Sequence, residues 1–458
     1  MKPPQKNSER RITINSVTSK GFGVGEIDGG FVVFADGLLP GDVADILLVK
    51  AKKTYGYAKT LQIVSPSVHR VKSPCTVSQR CGGCQFLHCE YEAQLAFKKR
   101  FVQDALQRIG GIAEPPVADV LPMDFGEKGI RYRNKAVFPI VPHANEDGFA
   151  IGMFAPRSHN MVEVTDCLIQ NVAHVKVLRI LREHMKKRQI TAYDEVSHKG
   201  LMRFVLIRSS EATGEVMVVL VANGNEIPGE VNLTAKLADA GASTVLVNKN
   251  TARGNTILGG DFHILSGKGF ITETVGDVKY QISAASFFQI NTRQAEKLYR
   301  TALEQAGLSE GMTVVDAHVG AGGVLLPASR LVKKAMGVDA LSQAIIDARE
   351  NALQNGISNA EFLCGTAEDA LPKILQDHAV DVVFFDPPRK GCEPALLDSV
   401  VSAEIGRIVY ISCDPATLAR DIKLLGLGGY KLVEAIPVDM FPFTGKVEIC
   451  CLLLKNAV

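Results

Sequence analysis

From residue 276 onward, short apolar runs alternate with helix-patterned stretches, and no other feature limits the possible folds so sharply. The runs and their joints read "TVVDAHVGAGG", "KAMGVDAL", "AEFLCGTAED", "DVVFFDPPRKG" and "RIVYISCDPATLARD". Such alternation calls for parallel strands joined by crossover helices, an α/β doubly wound, Rossmann-like sheet that binds ligands at the carboxyl ends of its strands. Every one of these motifs lies at such an end.

The chain before this region has a different texture. Residues 11 to 66 are strand-like, and pairs such as "DGG" and "PGD" punctuate short alternating runs, the pattern of a small five-stranded, OB-like β-barrel. Tyr55 and Tyr57 beside Lys50, Lys52 and Lys53 are candidates for stacking on bases. "SPSVHRVKSP" reads as a linker, and a mixed α+β region follows to residue 275. Three domains are therefore expected, at 1–66, 67–275 and 276–458.

No run of eighteen uncharged apolar residues occurs, and the polar, basic start "MKPPQKNSERR" has no apolar stretch behind it. These features predict a cytoplasmic protein without a membrane partner. The formal net charge of +2 is too small to mark a nucleic-acid binder, so any basic surface must be local. Candidate patches are Lys50 with Lys52 and Lys53, Lys98 to Arg100, Arg131 with Arg133 and Lys135, and Lys186 to Arg188.

The strand ends carry the candidate chemistry. Gly320, Gly322 and Gly323 after "TVVD" allow close backbone approach to a ligand, and Asp339, closing the next strand, is placed to bind ribose hydroxyls. The third glycine of a dinucleotide fingerprint is missing, so S-adenosylmethionine suits the loop better than NAD. Glu368 and Asp369 are candidates near an adenine, or simply a solvated helix start. Asp386 ends an apolar strand, and Arg389 and Lys390 after the double proline offer cations to a phosphate. Cys413 stands between a strand and a helix that Asp414 can cap and Pro415 can begin. The helix dipole there favours a thiolate, hence a nucleophile, and the alternative is a small buried hydrophobe. Glu448 falls within an apolar strand, either as a general base or as an edge-strand charge.

Ten cysteines in a chain without a secretion signal point to metal binding or catalysis rather than to disulfides. Cys75, Cys81 and Cys84 can surround one ion or cluster with Cys167 as fourth ligand, and the spacing leaves zinc and iron–sulfur both open. Cys89, Cys364, Cys392, Cys450 and Cys451 read as buried or incidental.

Taken in order, these residues resemble the RNA uracil-C5 methyltransferases, specifically the bacterial 23S ribosomal RNA branch with an N-terminal TRAM barrel and a 4Fe-4S cluster. The resemblance implies Cys75, Cys81, Cys84 and Cys167 as cluster ligands. It implies Gln289, His318, Gly320, Asp339 and Asp386 as S-adenosylmethionine contacts, Cys413 as nucleophile and Glu448 as base. It further implies a monomer acting on unstacked loop regions of RNA. The chain departs from the family pattern at His318 and Gly323, where an aromatic residue and a threonine are usual, and at Phe443 and Lys446, where histidines are usual. Two competing readings are an amine or ribose methyltransferase on the same fold, and an RNA-binding protein that has lost catalysis. Transfer RNA is the alternative substrate.

Overall fold

The computed structural model describes residues 4–126 and 129–456; the outermost residues of the first and last expected domains lie outside that range. Five strands, β1 (Glu9–Val17), β2 (Phe22–Ile27), β3 (Phe31–Asp36), β4 (Val43–Ala51) and β5 (Tyr55–Ser65), close into a barrel in the order β1-β2-β3-β5-β4. Alternate residues such as Ile12, Ile14, Val33, Ala35, Ile46 and Leu48 fill its interior, as the two-residue period of a strand requires. The segment expected to be a linker is instead tied to the barrel: buried Asp42 accepts from the Ser67 amide at 2.7 Å and pairs with Arg70.

After the cysteine segment comes the helix α1 (Tyr91–Arg108). The central sheet is then laid down by β6 (Lys135–Pro142), β7 (Phe149–Phe154), β8 (Met161–Glu163), α2 (Val172–Arg188), β9 (Met202–Ser209), β10 (Val216–Ala222), α3 (Glu230–Asp239), β11 (Thr244–Lys249) and β12 (Asp261–Ser266). Its seven strands run β12-β11-β10-β9-β6-β7-β8. One face is covered by α2 and α3, and the other packs on the C-terminal domain, which is why "VMVVLVA" of β10 is apolar throughout.

A hairpin, β13 (Phe270–Val275) and β14 (Val278–Ser283), leads into the C-terminal layers. These are α4 (Thr292–Ala306), β15 (Thr313–Asp316), α5 (Leu325–Ser329), β16 (Lys334–Asp339), α6 (Ser342–Gln354), β17 (Ala360–Cys364), α7 (Ala367–Asp377), β18 (Val382–Phe385), α8 (Pro394–Ser402), β19 (Arg407–Ser412), α9 (Pro415–Leu427), β20 (Tyr430–Val438) and β21 (Glu448–Lys455). Strand order is β17-β16-β15-β18-β19-β21-β20, parallel up to β19, with β21 antiparallel to both its neighbours. The expected doubly wound sheet is present. Helix α1 joins it despite its distance in sequence, because Val102 and Leu106 are buried with Leu418, Ile422 and Tyr430. Val117 and Leu121 bridge to Ala435 and Val438, covering the edge that β20 would otherwise expose. Among the described residues no helix is long and apolar enough to cross a membrane.

Candidate active site

Cys413 is half-buried between β19 and α9, and Asp414 caps the helix as expected, accepting from the Ala416 and Thr417 amides at 2.9 and 3.2 Å. The thiolate expected from the helix dipole is not the resting form. Burial, with the Glu448 and Asp386 carboxyls nearby, pushes the Cys413 thiol up to about 11, and Arg389 only partly opposes this. Glu448 opens β21 and is 4% exposed, with no hydrogen-bond or ion-pair partner among the described residues. Burial first, then Asp386, raises its carboxyl well above the usual range. A carboxylate at a sheet edge in water would behave otherwise, so the edge-charge reading of Glu448 does not hold.

Next to these groups is a narrow pocket at the carboxyl ends of β15 and β18. It is lined by Phe287, Phe288, Tyr299, His318, Gly320 and Asp386, among others. Gly320 has φ +53°, and the space a Cβ would occupy there is open, so a ligand can lie against its backbone. Its amide donates to Asp339 at 3.0 Å, and Asp339 also accepts from the Leu341 amide at 2.8 Å. Asp339 thus shapes the glycine loop. His318 is held neutral by burial, its pKa lowered to about 4, and its Nδ1 has no partner. Burial raises both Asp316 and Asp386 to about 7. Gln289 is buried directly after Phe288 but does not line the pocket; its carbonyl accepts from Asn134 at 2.8 Å. Asp369 is hydrogen-bonded to Thr366 in a helix cap, the bland of its two readings. Tyr299 and Phe287 were not singled out from sequence, since one reads as a core position of α4 and the other as an ordinary aromatic; Phe287 is 68% exposed.

On its other side Cys413 opens into a cavity of about 1040 Å³ between the barrel and the C-terminal domain. Phe34 and Lys20 of the barrel, Arg100 of α1, and Arg389 and Lys446 all line it. Phe34 stacks near Tyr57, with ring centroids 5.5 Å apart, and Tyr55 lies against Tyr57 at 5.9 Å. The expected basic patches divide. Lys98 is fully buried against Asp439 and cannot meet a phosphate. Lys99, Arg131, Lys186 and Lys390 pair with Asp119, Asp166, Asp147 and Glu393. Arg100, paired with Asp104 at 2.8 Å, and Arg389 line the cavity.

All four candidate ligand cysteines, Cys75, Cys81, Cys84 and Cys167, line one small pocket together with Arg133. Among the described residues no group of three or more His, Cys, Asp or Glu is arranged to hold a metal ion. The Arg133 Nε is buried without a partner beside the thiols.

Fold and site together define a doubly wound α/β domain with a pocket at its strand ends, beside which the Cys413 thiol faces a five-stranded barrel. The family model described as tRNA (Uracil-5-)-methyltransferase matches residues 90–456, and the TRAM domain model matches 3–61. The chain belongs to the tRNA (uracil-5-)-methyltransferase family. It is 40% identical to RNA methyltransferases of Halalkalibacterium halodurans, over 99% of each chain, and of Clostridium tetani, over 98% of this chain and 97% of the other. Both relatives are described as uncharacterized. The crystal structure of Pyrococcus abyssi tRNA (uracil-54, C5)-methyltransferase with S-adenosyl-L-homocysteine superposes with a TM-score of 0.77, at 29% identity, covering 97% of this chain and 99% of that one.

Proposed function

We propose that this protein methylates carbon 5 of a uridine in RNA, with S-adenosylmethionine as donor and Cys413 as covalent catalyst. The observation that carries the reading is the cluster of Cys413, Glu448 and Asp386 where the cofactor-type pocket meets the barrel-lined cavity: Glu448 and Asp386 both raise the Cys413 thiol, and Asp386 raises Glu448. S-adenosylmethionine, when bound, supplies a methyl group on a positive sulfonium. We assign its binding to the pocket residues His318, Gly320 and Asp386, with Asp339 holding the Gly320 amide and Gln289 next to the lining Phe288, supported by the open space over Gly320 and the partnerless His318 nitrogen.

Carbon 5 of uracil becomes a competent nucleophile only after a thiolate has added to carbon 6. Cys413 forms that bond and the electron pair moves toward carbon 5. After methylation carbon 5 still holds its proton; the Glu448 carboxylate removes it, and the electrons returning to the ring expel Cys413. Burial raises both groups, so their ionisation depends on local cations: Arg389 lowers the thiol, and Lys446 and Arg389 lower Glu448. The base must leave its stack to reach Cys413, which favours a loop or single-stranded target.

Cys75, Cys81, Cys84 and Cys167 are assigned to a 4Fe-4S cluster. Four thiols around one pocket, with the Arg133 cation beside them, suit a cluster that carries thiolate charge. Bound, it would join the segment before α1 to the segment before α2, and no catalytic step runs through it. The preferred substrate is 23S ribosomal RNA, acted on by a monomer. Transfer RNA is a second reading, favoured by the P. abyssi likeness. Incubating unmodified 23S and transfer RNA transcripts with methyl-labelled S-adenosylmethionine and mapping the product nucleoside tests both. The proposal expects 5-methyluridine in one RNA only, absent with Cys413→Ala; label on an exocyclic nitrogen or a ribose would overturn it.

A further inference from the structure

Tyr299 of α4 is 7% exposed and packs in one apolar cluster with Leu298, Ala302 and Val324. Its ring is held by that packing, but its hydroxyl has no hydrogen-bond partner among the described residues. Tyr280, on the wall of the same pocket, is served by the chain and donates to the Gly323 carbonyl at 3.1 Å. A hydroxyl withdrawn from bulk water and left unpaired costs stability, and phenylalanine would fill the same space without that cost. The backbone alongside makes room for Tyr299 as well. A Cβ at Gly323 would lie 2.6 Å from the Tyr299 oxygen and 2.9 Å from the ring carbon that bears it.

Tyr299 shares the walls of the narrow pocket with Asp316, His318, Gly320 and Asp386. Burial, then Tyr280 and the carboxyls of Asp386, Asp316 and Glu448, raise its ionisation well above the ordinary range, so the hydroxyl keeps its proton and can donate it. The other polar side chains of the pocket differ in kind. Asp316 and Asp386, once ionised, accept hydrogen bonds and suit a cation on the ligand. The neutral His318 ring offers its buried Nδ1 as a donor in only one of its two tautomers. An amino-acid group presents an ammonium and a carboxylate side by side; the acids serve the first, and the second needs a donor. Resting on the assignment of this pocket to S-adenosylmethionine, we propose that the Tyr299 hydroxyl donates to the carboxylate of the cofactor's amino-acid end. Tyr299 thereby selects cofactors that carry that carboxylate.

The test compares the full chain with its Tyr299→Phe variant, and measures Tm and the binding of two compounds by calorimetry. These are S-adenosylmethionine and decarboxylated S-adenosylmethionine, which keeps the ammonium and the sulfonium but lacks the carboxylate. Tyr299→Phe is expected to bind S-adenosylmethionine about tenfold more weakly, the share of one hydrogen bond to a charged group. Its affinity for the decarboxylated compound is unchanged. Its Tm stays level or rises, since the lost hydroxyl had no partner in the chain. Equal weakening toward both compounds, or none toward S-adenosylmethionine, would overturn the contact while leaving the cofactor reading intact. Failure of the unsubstituted protein to bind S-adenosylmethionine would overturn both.

Discussion

Cys413, the proposed nucleophile, is placed by local rules and tuned by distant ones. Its strand-to-helix joint, Asp414 cap and Pro415 are readable in eighteen consecutive residues, "IVYISCDPATLARDIKLL". The carboxyls that oppose its ionisation come from β18 and β21, so the direction of its pKa shift was not readable there. Alkylation of Cys413 in the free protein, followed by peptide mass spectrometry, is therefore expected to stay slow through pH 9 and to rise toward pH 11; full reactivity at pH 7 would contradict this. Asp316 gives a stability counterpart. Its folded-state pKa of about 7 lies above the ordinary value of 3.8, so its contribution is most favourable in acid and is lost as pH rises through that window. Asp316→Asn is expected to raise Tm by several degrees at pH 8 and to leave it unchanged at pH 4, measured by calorimetry. Gly323, a departure from the family pattern, has a local cause: a Cβ there would lie 2.6 Å from the Tyr299 hydroxyl, which fills the space.

The loop between β20 and β21 delivers Glu448, and its supports come from elements remote in sequence. Lys98 of α1 pairs with Asp439 and donates to the Phe441 carbonyl at 2.9 Å, while Tyr91 donates to Asp439 at 2.7 Å. Phe443 holds φ +65° with its amide donating to Gln94 and its carbonyl accepting from the Phe86 amide, and its ring stacks on Phe125 at 5.7 Å. That ring belongs to the apolar cluster against which Cys75, Cys84 and Cys167 pack, which accounts for an apolar residue at this position. Removing Lys98 leaves a buried carboxylate unpaired, so Lys98→Ala is expected to cost about 3–5 kcal/mol in denaturant unfolding. Lys99→Ala, one position on, breaks only a partly exposed pair and should change stability by less than about 1 kcal/mol. The sequence placed Lys98, Lys99 and Arg100 in one candidate basic patch, because only the tertiary partner Asp439 distinguishes Lys98 from Lys99.

At the scale of the molecule, the barrel, α1 and the C-terminal sheet enclose one cavity with Cys413 at its floor. The barrel meets the loop between β20 and β21 at Gly445, where a Cβ would lie 1.9 Å from the Ser19 carbonyl. Gly445→Ala is accordingly expected to push the barrel away and weaken RNA binding, with S-adenosylmethionine binding intact by calorimetry. The barrel and the doubly wound sheet were both legible as patterns of period and turn, whereas their mutual placement depends on contacts such as this one, which no local pattern encodes. The central claim is that Cys413 bonds to carbon 6 of a uracil while Glu448 removes the carbon 5 proton. Its most direct test is RNA carrying 5-fluorouridine, incubated with the protein and S-adenosylmethionine and resolved on a denaturing gel. Fluorine cannot leave as a proton does, so a covalent complex is expected to accumulate, with the adduct mapped to Cys413 and absent from Cys413→Ala. RNA and cofactor that both bind, yet yield no adduct, would contradict the account.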